Sequence, residues 1–251
     1  MKRLLTNFIG SILLSVVIVL TNIQAKAETI TPAQKKAFEL IIHDYLLENP
    51  EVIIQSMKVL QKREQKTQIN KTKRLLKTNF NRIYKNPMTA YSGNAKGDVT
   101  LVEFFDYQCG YCKQVTSSII KLIKKDPMLR VAWKELPVLG ENSFIAATAA
   151  MASQKQDKYL EFHVALMNSR GKLNYQTIMQ VAKRVGIDTK KLKKDMANPE
   201  IRIYLDETAK LAQSLSIKGT PGFIIGENIV PGAASYDQLK NFIEKTRHSR
   251  K

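Results

Sequence analysis

The strongest constraint in this chain is an apolar run, Val99 to Phe105, that passes through Asp106-Tyr107-Gln108 into Cys109-Gly110-Tyr111-Cys112. From Cys109 a helical pattern continues to Lys125 and is stopped by Asp126-Pro127. The run is rich in β-branched and aromatic residues and reads as a buried strand. Leu129 to Leu136 is a second strand. Strand, helix and strand at this spacing predict a parallel βαβ unit. Residues 141–215 then carry helical patterns without strand signals. Phe223 to Ile225 and Ile229-Val230 form a short hairpin around Gly226-Glu227-Asn228, and Tyr236 to Lys245 makes a closing helix.

A parallel βαβ start followed by an antiparallel hairpin is the thioredoxin plan. The expected architecture is therefore α/β: a thioredoxin fold over residues 87–251 with an all-helical insertion at about 141–215. An N-terminal helical extension over residues 28–86 precedes it. Thr31-Pro32-Ala33-Gln34 supplies a capping residue, a first-turn proline and a capping-box glutamine. Phe38, Ile41, Ile42 and Tyr45 follow at helical spacing. Asn49-Pro50 ends this helix and starts another, marked by Ile53, Met57 and Leu60. Residues 61–74 are polar and lysine-rich, and read as a solvated helix or a flexible connector. Leu76, Phe80 and Ile83 resume the stripe.

The first 27 residues read as an address. Lys2 and Arg3 precede an apolar stretch from Leu4 to about Leu20, and Ala25-Lys26-Ala27 offers the small residues of a cleavage site. The expectation is a secretory signal peptide cleaved after Ala27 and a periplasmic mature protein. The rival reading is an uncleaved membrane anchor, which Thr6, Asn7, Ser11, Ser15, Thr21 and Asn22 weaken. The net charge is +18, but the lysines are spread along the chain instead of gathered in a patch. No nucleic-acid partner is expected.

Only two cysteines are present. A structural zinc site needs about four ligands, and His43, His163 and His248 lie apart from the cysteines in sequence. No metal site and no cofactor are expected. At a helix N-terminus, unpaired backbone N–H groups favour an anion. Cys109 is therefore the expected nucleophile, since the thiolate is the reactive form, and Cys112, one turn on, can close a disulfide with it. A bridge across so short a loop removes little chain entropy, which argues for redox work over a structural staple. Glu103 stands in an apolar strand, where a carboxylate is costly unless paired. Lys134 interrupts the next strand. Together they suit a proton relay to Cys112, and the bland alternative is that each reaches solvent at a strand end. Thr220-Pro221-Gly222 precedes the hairpin, where a proline can hold a cis peptide and offer backbone groups to an extended substrate. His163 and Trp133 read as packing residues.

On these residues the chain resembles the DsbA family of bacterial thiol–disulfide oxidoreductases. Val99–Lys113, VTLVEFFDYQCGYCK, carries the likeness, with the helical insertion and Thr220-Pro221. The resemblance covers about residues 87–251. It implies a redox-active disulfide with Cys109 as nucleophile and Cys112 as resolving cysteine. It likewise implies a buried glutamate at Glu103, a nearby lysine at Lys134, and a cis-proline at Pro221. Gly110, Tyr111, Thr220 and Pro221 are then the substrate-facing residues. Residues 28–86 are similar to the N-terminal extension of the copper-resistance-associated ScsC branch, some members of which trimerise through it; a homotrimer is the form that likeness suggests. Gly110-Tyr111 stands where the best-known DsbA enzymes carry Pro-His, and Thr220 where they carry Val. Both features are similar to disulfide isomerases. The expected function is forming or rearranging disulfides in exported cysteine-containing proteins, with a membrane redox partner recycling the pair. The alternative is a non-catalytic periplasmic chaperone, or a copper-binding module using the two thiols as soft ligands.

Overall fold

The computed structural model describes residues 30–249, so the segment read as a signal peptide lies outside the described residues. No helix among the described residues is long and apolar enough to cross a membrane. Contacts divide the described residues into two compact units, one ending at Arg63 and one starting at Glu64.

In the first unit, helix α1 (Pro32–Glu48) opens on the expected capping box. The Gln34 amide donates to Thr31 Oγ1 at 3.2 Å, and the Thr31 amide donates to Gln34 Oε1 at 2.8 Å. Asn49 closes α1, its amide donating to the Tyr45 carbonyl at 2.9 Å. Helix α2 (Glu51–Thr78) starts in this unit and ends in the second. It runs unbroken through residues 61–74, where long unbranched Lys, Gln and Glu side chains lose little freedom in a helix. The apolar stripe of α1 is not buried: Phe38, Ile41, Ile42 and Tyr45 are each more than half exposed.

The second unit holds a five-stranded sheet in the order β1-β3-β2-β4-β5. Its strands are β1 (Ala90–Gly93), β2 (Val99–Phe105), β3 (Leu129–Glu135), β4 (Gly222–Ile225) and β5 (Asn228–Pro231). Only the β2–β3 pair is parallel, joined by helix α4 (Gly110–Lys125) as the βαβ reading required. Helix α3 (Phe80–Tyr84) lies between α2 and β1. Strand β1 is an addition to the expected plan. Its four residues, AYSG, carry little strand signal; pairing and Trp133 hold it, since Ala90 stands opposite Trp133 and the Trp133 indole donates to Ser92 Oγ at 2.9 Å. Gly93 turns out of this strand at φ +79°, where a Cβ would collide with the Leu129 carbonyl.

Alternation along the central strands separates two cores. Val99, Leu101, Phe105, Val131, Trp133, Phe223 and Ile225 face one side, and with them pack α4, the closing helix α10 (Tyr236–His248) and most of the insertion. Val102, Phe104, Ala132 and Ile224 face the other, against Leu76 of α2, Ile83 of α3 and Leu211 of the last helix of the insertion. The insertion between β3 and β4 is helical throughout: α5 (Glu141–Ser153), a 3₁₀ turn, α6 (Tyr159–Met167), α7 (Tyr175–Arg184), α8 (Thr189–Asp195) and α9 (Pro199–Ser214). Each fully buried Leu, Ile or Phe in these cores contributes about 1.5–3 kcal/mol.

Candidate active site

Strand β2 ends at Phe105, and the three residues after it turn the chain into α4. Asp106 fixes that turn. Its carboxylate accepts from the Gln108 amide at 2.7 Å, the Ser143 hydroxyl at 2.7 Å, and the Val138 and Leu139 amides at 2.8 and 3.0 Å. Its carbonyl accepts from the Cys109 amide at 3.1 Å. One buried aspartate thus ties the Cys109 turn to the chain entering the insertion. No signal in the sequence marked it out beyond its place in the β2–α4 turn.

Cys109 is the N-cap of α4, and its sulfur accepts from the Cys112 amide at 3.4 Å. The Cys109 thiol also donates to the Thr220 carbonyl at 3.3 Å. The Thr220–Pro221 peptide is cis, so the loop expected to face the cysteine pair does so. Both cysteines are free thiols and buried, Cys109 at 6% and Cys112 at 0% exposure. Burial pushes the Cys112 thiol far up, and the Glu103 carboxyl pushes it further in the same direction. Tyr111 is 64% exposed beside the pair, and a Cβ at Gly110 would meet nothing within 4 Å. That face is open to a substrate.

Glu103 is wholly buried, and neither of its carboxyl oxygens has a hydrogen-bond partner. Burial raises its proton affinity well above the usual carboxylate range, with the Cys109 and Glu135 charges adding to the effect. A neutral carboxylic acid on the Cys112 side of the sheet can lend a proton to that sulfur and take it back.

The expected pairing of Glu103 with Lys134 is not formed. Glu103 is in register with Trp133, so Lys134, the next residue of β3, points to the opposite face. There its ammonium donates to the Arg82 carbonyl at 2.9 Å and to Thr89 Oγ1 at 2.7 Å, and lies 5.6 Å from the Tyr204 ring centre. Burial lowers the Lys134 pKa to about 8. The lysine clamps α3 and the chain before β1 to the sheet. The same register places Glu135 on the Glu103 face. It was missed because Lys134 and Glu135 together look like a strand end, whereas counting by twos from Trp133 would have found it.

His163 is buried, as expected of a packing residue. Its Nδ1 lies 3.1 Å from the Tyr107 hydroxyl, and its ring leans on Trp133 at 4.3 Å between centres. Burial lowers its pKa to about 3, so it is neutral. Among the described residues no group of three or more His, Cys, Asp or Glu side chains could hold a metal ion.

With this geometry in hand, likenesses to known proteins carry weight. Residues 100–244 match the family described as DSBA-like thioredoxin domain, and residues 34–66 match the Copper resistance protein ScsC N-terminal domain. The Na(+)/H(+) antiporter NhaA 1 of Salinispora arenicola is 27% identical over 149 residues, 59% of this chain; the chain spans only 23% of that antiporter's length. Disulfide bond formation protein D of Bacillus subtilis is 26% identical over 165 residues, covering 61% of this chain and 74% of that protein. A solved thioredoxin-like oxidoreductase from Silicibacter pomeroyi is 39% identical with a TM-score of 0.65, over 67% of this chain and 97% of that one. A linker-deletion variant of Proteus mirabilis ScsC is 26% identical with a TM-score of 0.68, over 90% of this chain and 100% of that one.

Proposed function

This chain belongs to the DSBA-like thioredoxin domain family, and from that premise we propose that it is a periplasmic protein thiol–disulfide oxidoreductase acting through Cys109 and Cys112. The observation that carries the reading is Cys109 Sγ at the N-cap of α4, 3.3 Å from the Thr220 carbonyl. An extended substrate lying along the Thr220–Pro221 loop presents its sulfur to Cys109.

In the oxidised enzyme a substrate thiolate attacks Cys109 Sγ. The Cys109–Cys112 bond breaks, Cys112 leaves with the electron pair, and Glu103 supplies its proton. A second substrate thiolate then attacks the mixed disulfide and Cys109 leaves as thiolate. The substrate is oxidised by two electrons and the cysteine pair is reduced. A membrane redox partner resets the pair. Starting from the reduced pair, attack by Cys109 on a wrong substrate disulfide begins isomerisation, the direction that Gly110-Tyr111 and Thr220 favour.

Residues 28–86 serve assembly, as a homotrimer. The exposed stripe of α1 supports this, together with the match of residues 34–66 to the ScsC N-terminal domain. Several Cys109 sites around one substrate would raise their effective concentration. Export rests on the signal-like residues 1–27. A second reading, a non-catalytic chaperone or copper-binding module, draws on the same ScsC match. The two separate in one assay: an oxidoreductase reduces insulin or refolds a scrambled disulfide protein and loses this with Cys109→Ala, whereas a binder does neither.

A further inference from the structure

Glu135 is the second carboxyl of the Glu103 face. Phe105 is its register partner on β2, which puts Glu103 and Glu135 on the same face, two positions apart on adjacent strands. Glu135 is completely buried. Its Oε1 accepts from the Tyr159 hydroxyl at 2.7 Å and the Tyr107 hydroxyl at 3.0 Å. Tyr107 has one proton to give. Donated to Glu135, it leaves the phenol oxygen to accept from Nδ1–H of His163 at 3.1 Å. Three side chains from the β2–α4 turn and from α6 thus point hydrogen bonds, directly or in series, at one carboxyl oxygen.

The two carboxyls are treated differently by their surroundings. Neither Glu103 oxygen has a hydrogen-bond partner, while Oε1 of Glu135 accepts two bonds and only its Oε2 is left without one. Burial raises the proton affinity of both, but only at Glu135 do phenol hydrogen bonds work against it. Two carboxyls on one dry face do not ionise together. The first charge to form on the pair settles on the one that is hydrogen-bonded, and the proton stays on the other. The remaining ionisable groups facing the pair are Asp106 and Tyr107 after β2, Cys109 and Cys112 at α4, Tyr159 and His163 on α6, and Tyr204 on α9. Lys134 faces away.

We propose that Glu135 is a positioning residue for disulfide exchange: its carboxylate, fixed by Tyr107 and Tyr159, keeps on Glu103 the proton that the departing Cys112 sulfur takes. This rests on the reading of Glu103 as the proton donor. When the Cys109–Cys112 bond opens, the proton passes from the Glu103 carboxyl to Cys112 Sγ, and it returns when the Cys112 thiol closes the bond again. A general acid works best when it is still protonated at the operating pH. Without the Glu135 charge, Glu103 ionises too early, and Cys112 must leave as a bare buried thiolate.

The test is the pH dependence of disulfide opening by dithiothreitol in the full-length mature protein, normalised to the thiolate form of the reagent and followed by Trp133 fluorescence. Glu135→Gln keeps an acceptor for both phenols and removes the charge. The pH above which the normalised rate falls should move down by about one unit, a tenfold change in proton affinity. The shift should vanish in a Glu103→Gln background. Tyr159→Phe, which removes one donor and leaves Glu135 less ionised, should give a smaller shift in the same direction and substitutes if Glu135→Gln does not fold. An unmoved profile, or a shift that persists with Glu103→Gln, overturns the assignment. If Glu103→Gln itself leaves the profile unchanged, the proton-donor reading fails first.

Discussion

Replacing Glu103 with leucine should make the protein more stable and a poorer catalyst. The carboxyl is wholly buried with both oxygens unpartnered. Leaving a buried polar group without a hydrogen bond costs about 1–3 kcal/mol, and leucine removes that cost without a large loss of volume. The gain depends on pH. Folding raises the proton affinity of Glu103, so above the usual carboxylate range the unfolded chain has released a proton that the folded chain still holds. The native state then binds more protons, and stability falls as pH rises, by about 1.4 kcal/mol per unit while the folded carboxyl stays protonated. Leucine has no such slope. Its advantage should be smallest near pH 4.5 and grow toward pH 7.5. At neutral pH the melting temperature should rise by roughly 2–4 °C for each kcal/mol gained. Urea unfolding of the reduced protein at pH 4.5, 5.5, 6.5 and 7.5, read by far-UV circular dichroism, measures the gap directly. A leucine variant no more stable at pH 7.5, or a gap that does not change with pH, would refute the account of Glu103.

Cys112→Ala should trap mixed disulfides with substrate, visible on non-reducing gels, whereas Cys109→Ala should trap none; trapping by the opposite variant reverses their roles. Lys134→Met should leave the pH profile of exchange unmoved, because the ammonium lies on the other face. It should instead flatten stability between pH 8 and 10.5. The folded lysine gives up its proton at about 8 while the unfolded one keeps it, so the lysine protein gains stability across that window, on the order of 3 kcal/mol. Equal slopes for the two proteins in urea titrations would count against the burial of Lys134. Light scattering should find the full-length mature protein oligomeric and a chain beginning at Glu64 monomeric. Starting at Asn86 would be a poor choice, since it removes Leu76 and Ile83 from the core and Arg82 from Lys134. A monomeric full-length protein at micromolar concentration defeats the assembly claim.

The cysteine pair and the loop that faces it were legible in the sequence because each leaves a local mark. A cysteine pair opens a helix after an apolar strand, and a Thr-Pro-Gly precedes a hairpin. Apart from β1, the order of elements followed from periodicity together with cap, turn and proline stop signals. Strand β1 was not legible, because AYSG becomes a strand only through its neighbour β3. Whether residues 61–74 were helix or connector could not be told from polarity, which says where side chains go and not whether the backbone coils. The Glu103–Lys134 pairing failed on one position of strand register. Moving one residue along a strand changes faces, and two residues that look adjacent in a list end up separated by the sheet. Strand periodicity could place Glu135 on the Glu103 face, but its hydrogen-bonding and that of Asp106 were invisible: their partners, at Tyr159, Ser143 and Val138, are distant in sequence and meet them only once the insertion is in place.

The two outer strands, β1 and β5, are four residues each, the first ending at Gly93 and the second at Pro231. Proline offers no amide to a further strand, and a short edge offers few rungs to any chain that tries to extend the sheet. In the proposed role, disulfide exchange brings the protein beside clients that have not yet folded and whose own strands are unpaired. Long, flat borders would invite those clients to template on the enzyme and carry it into aggregates. Brief, interrupted borders let it meet sticky, half-made proteins through its sulfur chemistry while its own sheet stays closed to recruitment.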